Sequence, residues 1–313
     1  MLSVTQTNRR RQQTLLKLAL HFLLPLLFLL AGSLLLLAWQ STTRIVNDSI
    51  NYQMQEAQDR AQSRLDSYLT GLNTLLTSTA ESPALANILL KGDRPAAKKI
   101  LQNTLSHSYG EYLDLLLLTR QDQYWTNLNS PLYLLGNNLN SLIVDTPYFN
   151  KWSSVEIIPE PIALFSIIQR YPILSADSGL IAGSLFGGLI LNDNLTLISL
   201  LGQGSTNKSL QLLIDDQPVG PAFAAGKIEQ TIFEQAIASN LSQGEIADHY
   251  FSRQPLLING EASKLQLLLI ADKSMSEQLA HAYFYHLLLA LVLILLFITT
   301  YFFLTIKYVQ LNK

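Results

Sequence analysis

The stretch ALFSIIQRYPILSADSGLIAGSLFGGLIL, residues 163–191, decides the fold. Residues 163–175 and 180–191 are two long, mostly apolar runs, and the sequence Ala-Asp-Ser-Gly at residues 176–179 separates them. Asp, Ser and Gly are residues that tight turns favour. The stretch therefore predicts two long strands joined by a turn, as in an antiparallel sheet.

Shorter elements surround this hairpin and complete a first module. Residues 112–119 and 124–126 predict another hairpin, although Leu-rich runs do not distinguish strand from helix by periodicity alone. Residues 146–149 predict the start of a short helix, and residues 193–201 a helix that closes the module. Two more helices are predicted upstream, over residues 83–90 and 93–106, the second with Asp93 as its N-cap.

A second, smaller round of the same plan follows. Residues 210–214 and 217–220 predict two strands around the turn Asp215-Asp216, and residues 228–240 predict an amphipathic helix. Residues 247–258 and 262–271 then flank Asn259-Gly260, the strongest short hairpin signal. The order of elements predicts an antiparallel sheet with helices on one face, and hence an α+β fold.

A long helix precedes both modules. Apolar residues recur at three- and four-residue steps from Val46 to Thr79, and neither Pro nor Gly interrupts the pattern before Gly71. This stripe predicts either a helix that packs on a sheet or a mechanical link to the membrane, and the two roles are compatible.

The ends of the chain are apolar enough to cross a membrane. Residues 18–43 and 278–306 carry no Asp, Glu, Lys or Arg. The Leu-rich residues 18–39 would form a helix of about 33 Å, which exceeds the hydrocarbon thickness of about 30 Å. Tyr and Phe residues flank the second run on both sides, as they do at membrane interfaces. The alternative for the first run is a cleaved signal peptide, but the run is longer than a typical signal sequence core.

Positive charge predicts the orientation. Arg9, Arg10, Arg11 and Lys17 precede the first run, and Lys307 and Lys313 follow the second. By the positive-inside rule both termini are cytoplasmic. Removing these six from the 21 basic residues leaves 15 against 23 acidic ones, a net charge of −8 for the remainder of the chain. We therefore expect a bacterial inner-membrane protein whose residues 40–279 are periplasmic.

Composition excludes several other classes. The 313 residues are 49 % hydrophobic and 14 % charged, with a mean hydropathy of +0.22, which argues against disorder. The net charge of −2 argues against nucleic-acid binding. There is no Cys, and the five His residues show no metal-binding spacing, so we expect no metal and no cofactor.

Motifs in the central stretch resemble those of a known family. They are Arg170-Tyr171-Pro172-Ile173-Leu174, the pattern S-G-x-x-x-G from Ser178 to Gly183, and Leu191-Asn192-Asp193-Asn194. They resemble the periplasmic region of LuxQ-type sensor kinases of autoinducer-2 quorum sensing. Residues 145–149 also resemble a loop of Cache domains, and the whole plan resembles a double-Cache, or tandem PAS-like, sensor ectodomain.

The resemblance implies a receptor. It implies a signal-receiving ectodomain that binds a LuxP-like periplasmic binding protein, or a small molecule directly, and that works as a homodimer. Such relatives continue into kinase, receiver or cyclase modules, whereas this sequence stops seven residues after Ile306. No kinase, cyclase or hydrolase signature occurs, so we expect no enzyme activity in this chain. It would be a truncated or split sensor, or would signal through a cytoplasmic output protein.

These inferences divide the chain into seven segments: a cytoplasmic tail (1–17), a transmembrane helix (18–39), a long periplasmic helix with a helical connector (40–107), a membrane-distal PAS/Cache-like module (108–202), a membrane-proximal PAS-like module (203–279), a second transmembrane helix (280–306) and a cytoplasmic stub (307–313).

One ligand pocket is a candidate. In PAS-like folds the pocket lies between the sheet and its covering loops, with aromatic walls and a few polar groups. An Arg in such a pocket can hold a ligand carboxylate through two hydrogen bonds. The alternative is that the aromatic side chains fill the core and Arg170 forms a salt bridge with Asp145. The candidate residues of the first module are Tyr124, Trp125, Asp145, Tyr148, Trp152 and Arg170.

A structural scaffold is the rival function. Polysaccharide chain-length regulators also have two terminal spans and long extracytoplasmic helices. They carry a proline-rich segment beside the second span, but no Pro occurs here after Pro255. Oligomer size would separate the two, because such regulators form large rings and sensors form dimers.

Overall fold

The computed structural model describes residues 2–106, 113–120, 122–128, 142–147, 151–157, 164–204, 208–223 and 228–311. The chain forms two compact units. One comprises Met1–Gln53 and Lys273–Lys313, and the other comprises Met54–Asp272. Predictions for residues 107–112, 129–141 and 148–150 fall outside the described residues.

Helix α1 (Leu2–Ala80) is continuous over 79 residues and confirms the predicted long helix. Its C-terminal part provides a core face for the larger unit, since apolar side chains on one stripe are almost fully removed from water. Pro25 lies within it, in the apolar run. The buried residues of the stripe include Met54, Ala57, Ala61, Leu65, Leu72 and Leu76.

Two short helices follow, and their caps explain their bounds. Helix α2 (Pro83–Lys91) begins with Pro at its first position and ends at Gly92, whose φ of 76° is left-handed. Helix α3 (Arg94–Leu105) begins after Asp93, whose carboxylate accepts a hydrogen bond from the Ala96 N–H at 3.1 Å. The predicted N-cap is therefore confirmed.

The first sheet is antiparallel, with strand order β2-β1-β5-β4-β3. The two long strands predicted from residues 163–191 are confirmed as β4 and β5. The short strand β3 was missed by the sequence analysis. The strands are β1 (Leu115–Arg120), β2 (Gln123–Leu128), β3 (Ser153–Ile157), β4 (Leu164–Leu174) and β5 (Ile181–Ile190).

Glycines in β5 allow both helix α1 and strand β1 to pack closely against this strand. A Cβ on Gly187 would lie 2.4 Å from the Leu76 side chain of α1, so only glycine lets the helix approach so closely. A Cβ on Gly183 would lie 2.2 Å from the Thr119 carbonyl oxygen on β1. Gly179 has a φ of 67° in the β4–β5 turn. The S-G-x-x-x-G pattern thus reflects one turn and one close approach.

The sheet face opposite α1 holds a second set of buried side chains. A short helical turn at residues 142–145 covers it, and this turn precedes the helix start predicted at residue 146. The cluster is apolar throughout: Leu115, Leu117, Leu142, Ile143, Val155, Leu164, Ile168, Phe186 and Ile190.

The second sheet repeats the topology of the first, with order β7-β6-β10-β9-β8. Helix α4 (Leu195–Gly202) leads into it, and helix α5 (Gln230–Ala238) packs on it through Phe233 and Ala236. Asn259 and Gly260 have φ values of 56° and 78°, so the predicted hairpin is confirmed. The strands are β6 (Lys208–Ile214), β7 (Gln217–Pro218), β8 (Gln243–Ile246), β9 (His249–Ile258) and β10 (Glu261–Asp272), of which β8 was not predicted.

Helix α6 (Ser274–Leu311) contains the second apolar run. Among the described residues, two helical stretches are long and apolar enough to cross a membrane, Phe28–Ala80 and Ala280–Tyr301. Within the unit that comprises Met1–Gln53 and Lys273–Lys313, the Trp39 ring lies edge-on to Phe284 at 5.0 Å and tilted against His281 at 6.1 Å. Trp is one of the residue types enriched at membrane interfaces.

Candidate functional site

Arg170 is a buried cation on β4. Its side chain is 4 % exposed, and the Nε atom donates to the Ser184 hydroxyl at 3.1 Å. An Nη atom donates to the Asp122 carboxylate at 2.5 Å, and the guanidinium carbon lies 5.0 Å from the Phe186 ring centre. Charge neutralisation, hydrogen bonding and an aromatic face together make burial of this cation tolerable.

The carboxylate partner of Arg170 differs from the one predicted. The alternative interpretation of the sequence paired Arg170 with Asp145, but Asp145 is exposed on the helical turn, and Asp122 forms the ion pair. Asp122 lies in the β1–β2 turn with a φ of 58°. That left-handed turn and the strand register bring Asp122 beside Arg170. The sequence separation of the two residues predicts neither the turn nor the register.

The predicted aromatic residues do not form one group. Trp125 lies beneath Arg94 of α3, with the guanidinium carbon 6.0 Å from its ring centre, on the side of the sheet that the helices cover. Tyr124 donates to Asn127 Oδ1 at 2.6 Å on the other side, which Arg170 shares. A β-bulge between Leu118 and Thr119 fixes this arrangement. Tyr148 lies outside the described residues.

Trp152 belongs to the junction between the two sheets. Its backbone N–H donates to Asn259 Oδ1 at 3.1 Å, and its carbonyl oxygen accepts from Asn259 Nδ2 at 2.8 Å. Gln62 of α1 makes the same double contact with the backbone of Leu257, at 2.8 Å to the N–H and 2.9 Å to the carbonyl. Each amide holds a peptide unit through both of its polar atoms, so the β9–β10 hairpin is tied to α1 and to the first sheet.

A cavity of about 330 Å³ lies at this junction. Its wall includes Trp152 and Gln169 from the first sheet, Asn259 from the second, and Asp66, Thr70 and Asn73 from α1. Tyr171, two residues after Gln169, faces the same helix and donates its hydroxyl hydrogen to Asn73 Oδ1. Burial raises the pKa of Tyr171 well above its usual value, so the phenol remains a donor.

Sequence reasoning missed most of this junction. Gln62, Gln169 and Asn259 are neutral amides, which carry no motif. One signal was available for Gln169, because it is a polar residue between Ile167 and Tyr171 on the helix-covered face of a strand.

The Leu-Asn-Asp-Asn motif is structural. Asn192 Oδ1 accepts from the Phe165 N–H at 2.7 Å, and Asn194 caps α4 by accepting from the Leu197 N–H at 2.9 Å. Asp193 has a φ of 54°. Asn194 Nδ2 also donates to Asp114 at 3.1 Å. Burial raises the pKa of Asp114, while the Ile190 N–H that donates to it at 2.9 Å acts in the opposite direction.

The fold defines a class of protein, an α+β domain with a long N-terminal helix, two antiparallel sheets of identical strand order and a C-terminal apolar helix. Two of the described helices are long and apolar enough to cross a membrane. The chain belongs to the family described as LuxQ, periplasmic, whose sequence model matches residues 42–279.

Individual relatives agree with this assignment. The autoinducer 2 sensor kinase/phosphatase LuxQ of Vibrio cholerae is 22 % identical over 220 residues, which are 70 % of this chain and 26 % of that protein. LuxQ of Vibrio vulnificus is 19 % identical over 293 residues, 92 % of this chain and 34 % of that protein. The chain therefore spans only about a quarter to a third of these relatives, and the matched part is their sensor region.

A solved structure supports the fold. The crystal structure of the periplasmic domain of Vibrio cholerae LuxQ matches with a TM-score of 0.62 and 21 % identity, and the alignment covers 70 % of this chain and 99 % of that one. The predicted LuxQ-type α+β fold is thus confirmed, and residues 42–279 are a LuxQ-like periplasmic sensor domain.

Proposed function

We propose that this chain is an inner-membrane receptor whose periplasmic domain receives a ligand-loaded binding protein of the LuxP kind and transmits the signal through two spans. The observation that best supports the proposal is that the sensor domain is covalently continuous with both apolar helices. Helix α1 runs unbroken from Leu2 to Ala80, and only Lys273 separates the end of β10 from the start of α6. A shift within the sensor domain would therefore pass directly into the two apolar helices.

The receiving surface is proposed at the end of the β4–β5 hairpin. Leu174, Leu180 and Ile181, here called the hairpin patch, are 54 %, 70 % and 57 % exposed, and Leu174 pairs with Ile181 across the strands. Contiguous exposed apolar side chains are typical of protein-binding surfaces. The names of the relatives, autoinducer 2 sensor kinase/phosphatase, suggest the signal that the docked protein would carry.

Direct binding of a small molecule at Arg170 is the second candidate function. The guanidinium already bonds Asp122 and Ser184, so a ligand carboxylate would have to displace an internal carboxylate. This arrangement favours a protein as the immediate signal, because a filled binding position gains little from an incoming anion.

Orientation and assembly complete the proposal. Both termini lie in the cytoplasm, the output is a cytoplasmic kinase module or partner, and two copies form the receptor. Dimers of the full chain in detergent would support a receptor, whereas large rings would support the rival scaffold.

A docking experiment tests the proposal. The full chain in nanodiscs is immobilised, and a purified LuxP-type protein with autoinducer 2 is passed over it. We expect Leu180→Asp to weaken binding about tenfold or more, because it places a charge in an apolar contact. Leu241→Asp is the matched control, since Leu241 is 57 % exposed on a different part of the domain.

The result has two opposite outcomes. Loss of binding in Leu180→Asp alone supports docking at the hairpin patch. Equal binding by both variants and the native chain, or no binding by any of them, contradicts it.

A further inference from the structure

The junction cavity contains a buried side chain with unmet hydrogen-bonding capacity. Gln169 is 1 % exposed, and within the described part of the chain neither its Oε1 nor its Nε2 atom makes a hydrogen bond. Buried amides in native proteins are nearly always paired, because an unmade hydrogen bond in the interior is costly. Gln169 therefore requires a partner that the described residues do not supply.

The cavity is built to hold such a partner. Asn259 fixes the Trp152 backbone on one side through two hydrogen bonds, and the Tyr171 hydroxyl fixes Asn73 on the other. Its volume of about 330 Å³ is at the small end of the range for ligand sites. Asp66 and Thr70 are exposed at its rim, so a solute can reach it from solvent.

The lining determines the chemistry of the ligand. None of the described residues that line the cavity carries a positive charge, and Asp66 carries a negative one, which disfavours anions. Gln169 offers a donor and an acceptor side by side, and Thr70 and Asn73 add further polar groups. A hydroxyl group both donates and accepts a hydrogen bond, so a ligand with neighbouring hydroxyl groups could pair with both polar atoms of Gln169.

We propose that the cavity between α1, the first sheet and the β9–β10 hairpin binds a small neutral polyhydroxylated molecule through Gln169. Residues from both sheets line the site, so an occupant would change how firmly they are held together. The proposal goes beyond docking at the hairpin patch and does not depend on it, because none of Leu174, Leu180 and Ile181 lines the cavity.

Calorimetric titration of the full chain tests this proposal. The chain is kept in a zwitterionic detergent without a sugar headgroup, and D-ribose, D-glucose and glycerol are titrated at millimolar concentrations, with ethanolamine as a cationic comparison. We expect saturable binding of at least one polyol, with affinity lowered about tenfold or more in Gln169→Met, which keeps the length but removes both polar atoms.

Gln211→Met is the matched control. Gln211 is a buried glutamine of the second sheet, 2 % exposed, and its Nε2 donates to the Gly220 carbonyl at 3.1 Å away from the cavity. Gln211→Met should bind the polyol as the native chain does. It should unfold at a lower temperature than Gln169→Met, because it loses the hydrogen bond to Gly220 together with an Oε1 atom that is unpaired among the described residues. Gln169→Met should unfold at the same or a higher temperature than the native chain, because it loses an unpaired amide.

Each outcome decides the proposal. Saturable binding that Gln169→Met loses and Gln211→Met keeps supports it. Absence of binding, equal binding in all three chains, or binding of ethanolamine alone overturns it. Stabilisation that rises with polyol concentration without saturating is solvent exclusion, which counts against a site. No binding protein is present, so this result is independent of the docking result.

Discussion

Lys208 shows how one residue can lower the stability of this domain. It begins β6 with 8 % of its surface exposed, next to the ion pair between Glu56 and Arg60 on α1. Burial lowers the pKa of Lys208, and the charge of Arg60 lowers it further, while Glu56 raises it. The charged amine is therefore held at a cost in the folded state.

We predict that Lys208→Met stabilises the sensor domain at pH 7 by about 1 kcal/mol after allowance for solvent screening. The unfolding midpoint would then rise by about 2–4 °C. The folded-state pKa lies below the unfolded value of 10.5, so the unfolded chain binds more protons between these two values. Stability of the native chain thus rises with pH through that window, and the advantage of Lys208→Met should shrink there.

Thermal unfolding followed by circular dichroism from pH 7 to pH 10.5 measures this effect. Lys264→Met is the matched control, because Lys264 is 68 % exposed and its amine donates to Asp215 at 2.9 Å on the surface. Lys264→Met should leave the midpoint unchanged at pH 7. A lower midpoint for Lys208→Met would show that the buried amine is a net stabilising contact.

At the scale of elements, the β9–β10 turn has two separate roles. Asn259 adopts a left-handed φ of 56°, and its side chain binds the Trp152 backbone. Asn259→Gly keeps the freedom of the turn but removes both hydrogen bonds, so we predict a loss of about 1–2 kcal/mol. Asn259→Ala also strains the backbone and should cost about 1 kcal/mol more.

Asn240 provides the comparison for these two variants. It has a φ of 52° after α5, and its side chain is exposed. Asn240→Gly should be nearly neutral, and Asn240→Ala should show the cost of backbone strain alone. Thermal unfolding of all four variants separates the contribution of the two hydrogen bonds to Trp152 from the cost of backbone strain. Equal midpoints for Asn259→Gly and Asn240→Gly would mean that the contact with Trp152 contributes nothing.

Elements with local chemical signals could be predicted from the sequence. The Asn259-Gly260 turn, the cap at Asp93 and the turn at residues 176–179 each follow from residue types that favour those conformations. Strands β3 and β8 have only five and four residues, too few for an alternating pattern to identify them, so they were missed. Edge strands of this length are specified mainly by the neighbour on which they pair.

The candidate site was much less predictable. Tyr124 and Trp125 were predicted as candidates for one pocket, but they lie on opposite faces of the sheet. The partner of Arg170 depends on a left-handed turn 48 residues away. The junction cavity needs α1 and both sheets in place, and contacts between such distant residues leave no pattern in a single sequence.

At the scale of the whole molecule, the part of α1 that lies in the sensor domain contributes a face of its core. Leu65, Leu72 and Leu76 are fully buried, and Leu76 covers Gly187 at the centre of the first sheet.

We therefore predict that the fragment of residues 40–279 folds alone, with both helical and strand signals in circular dichroism and one cooperative unfolding transition. The fragment of residues 81–279 is the control. It keeps both sheets but lacks α1, so it exposes the apolar face beneath Leu72 and Leu76 and should lose the cooperative transition. A helical-only or molten spectrum from residues 40–279 would contradict the two-sheet fold. Cooperative folding of residues 81–279 would show instead that α1 contributes little to the core and could move independently of the domain whose shift it is proposed to transmit.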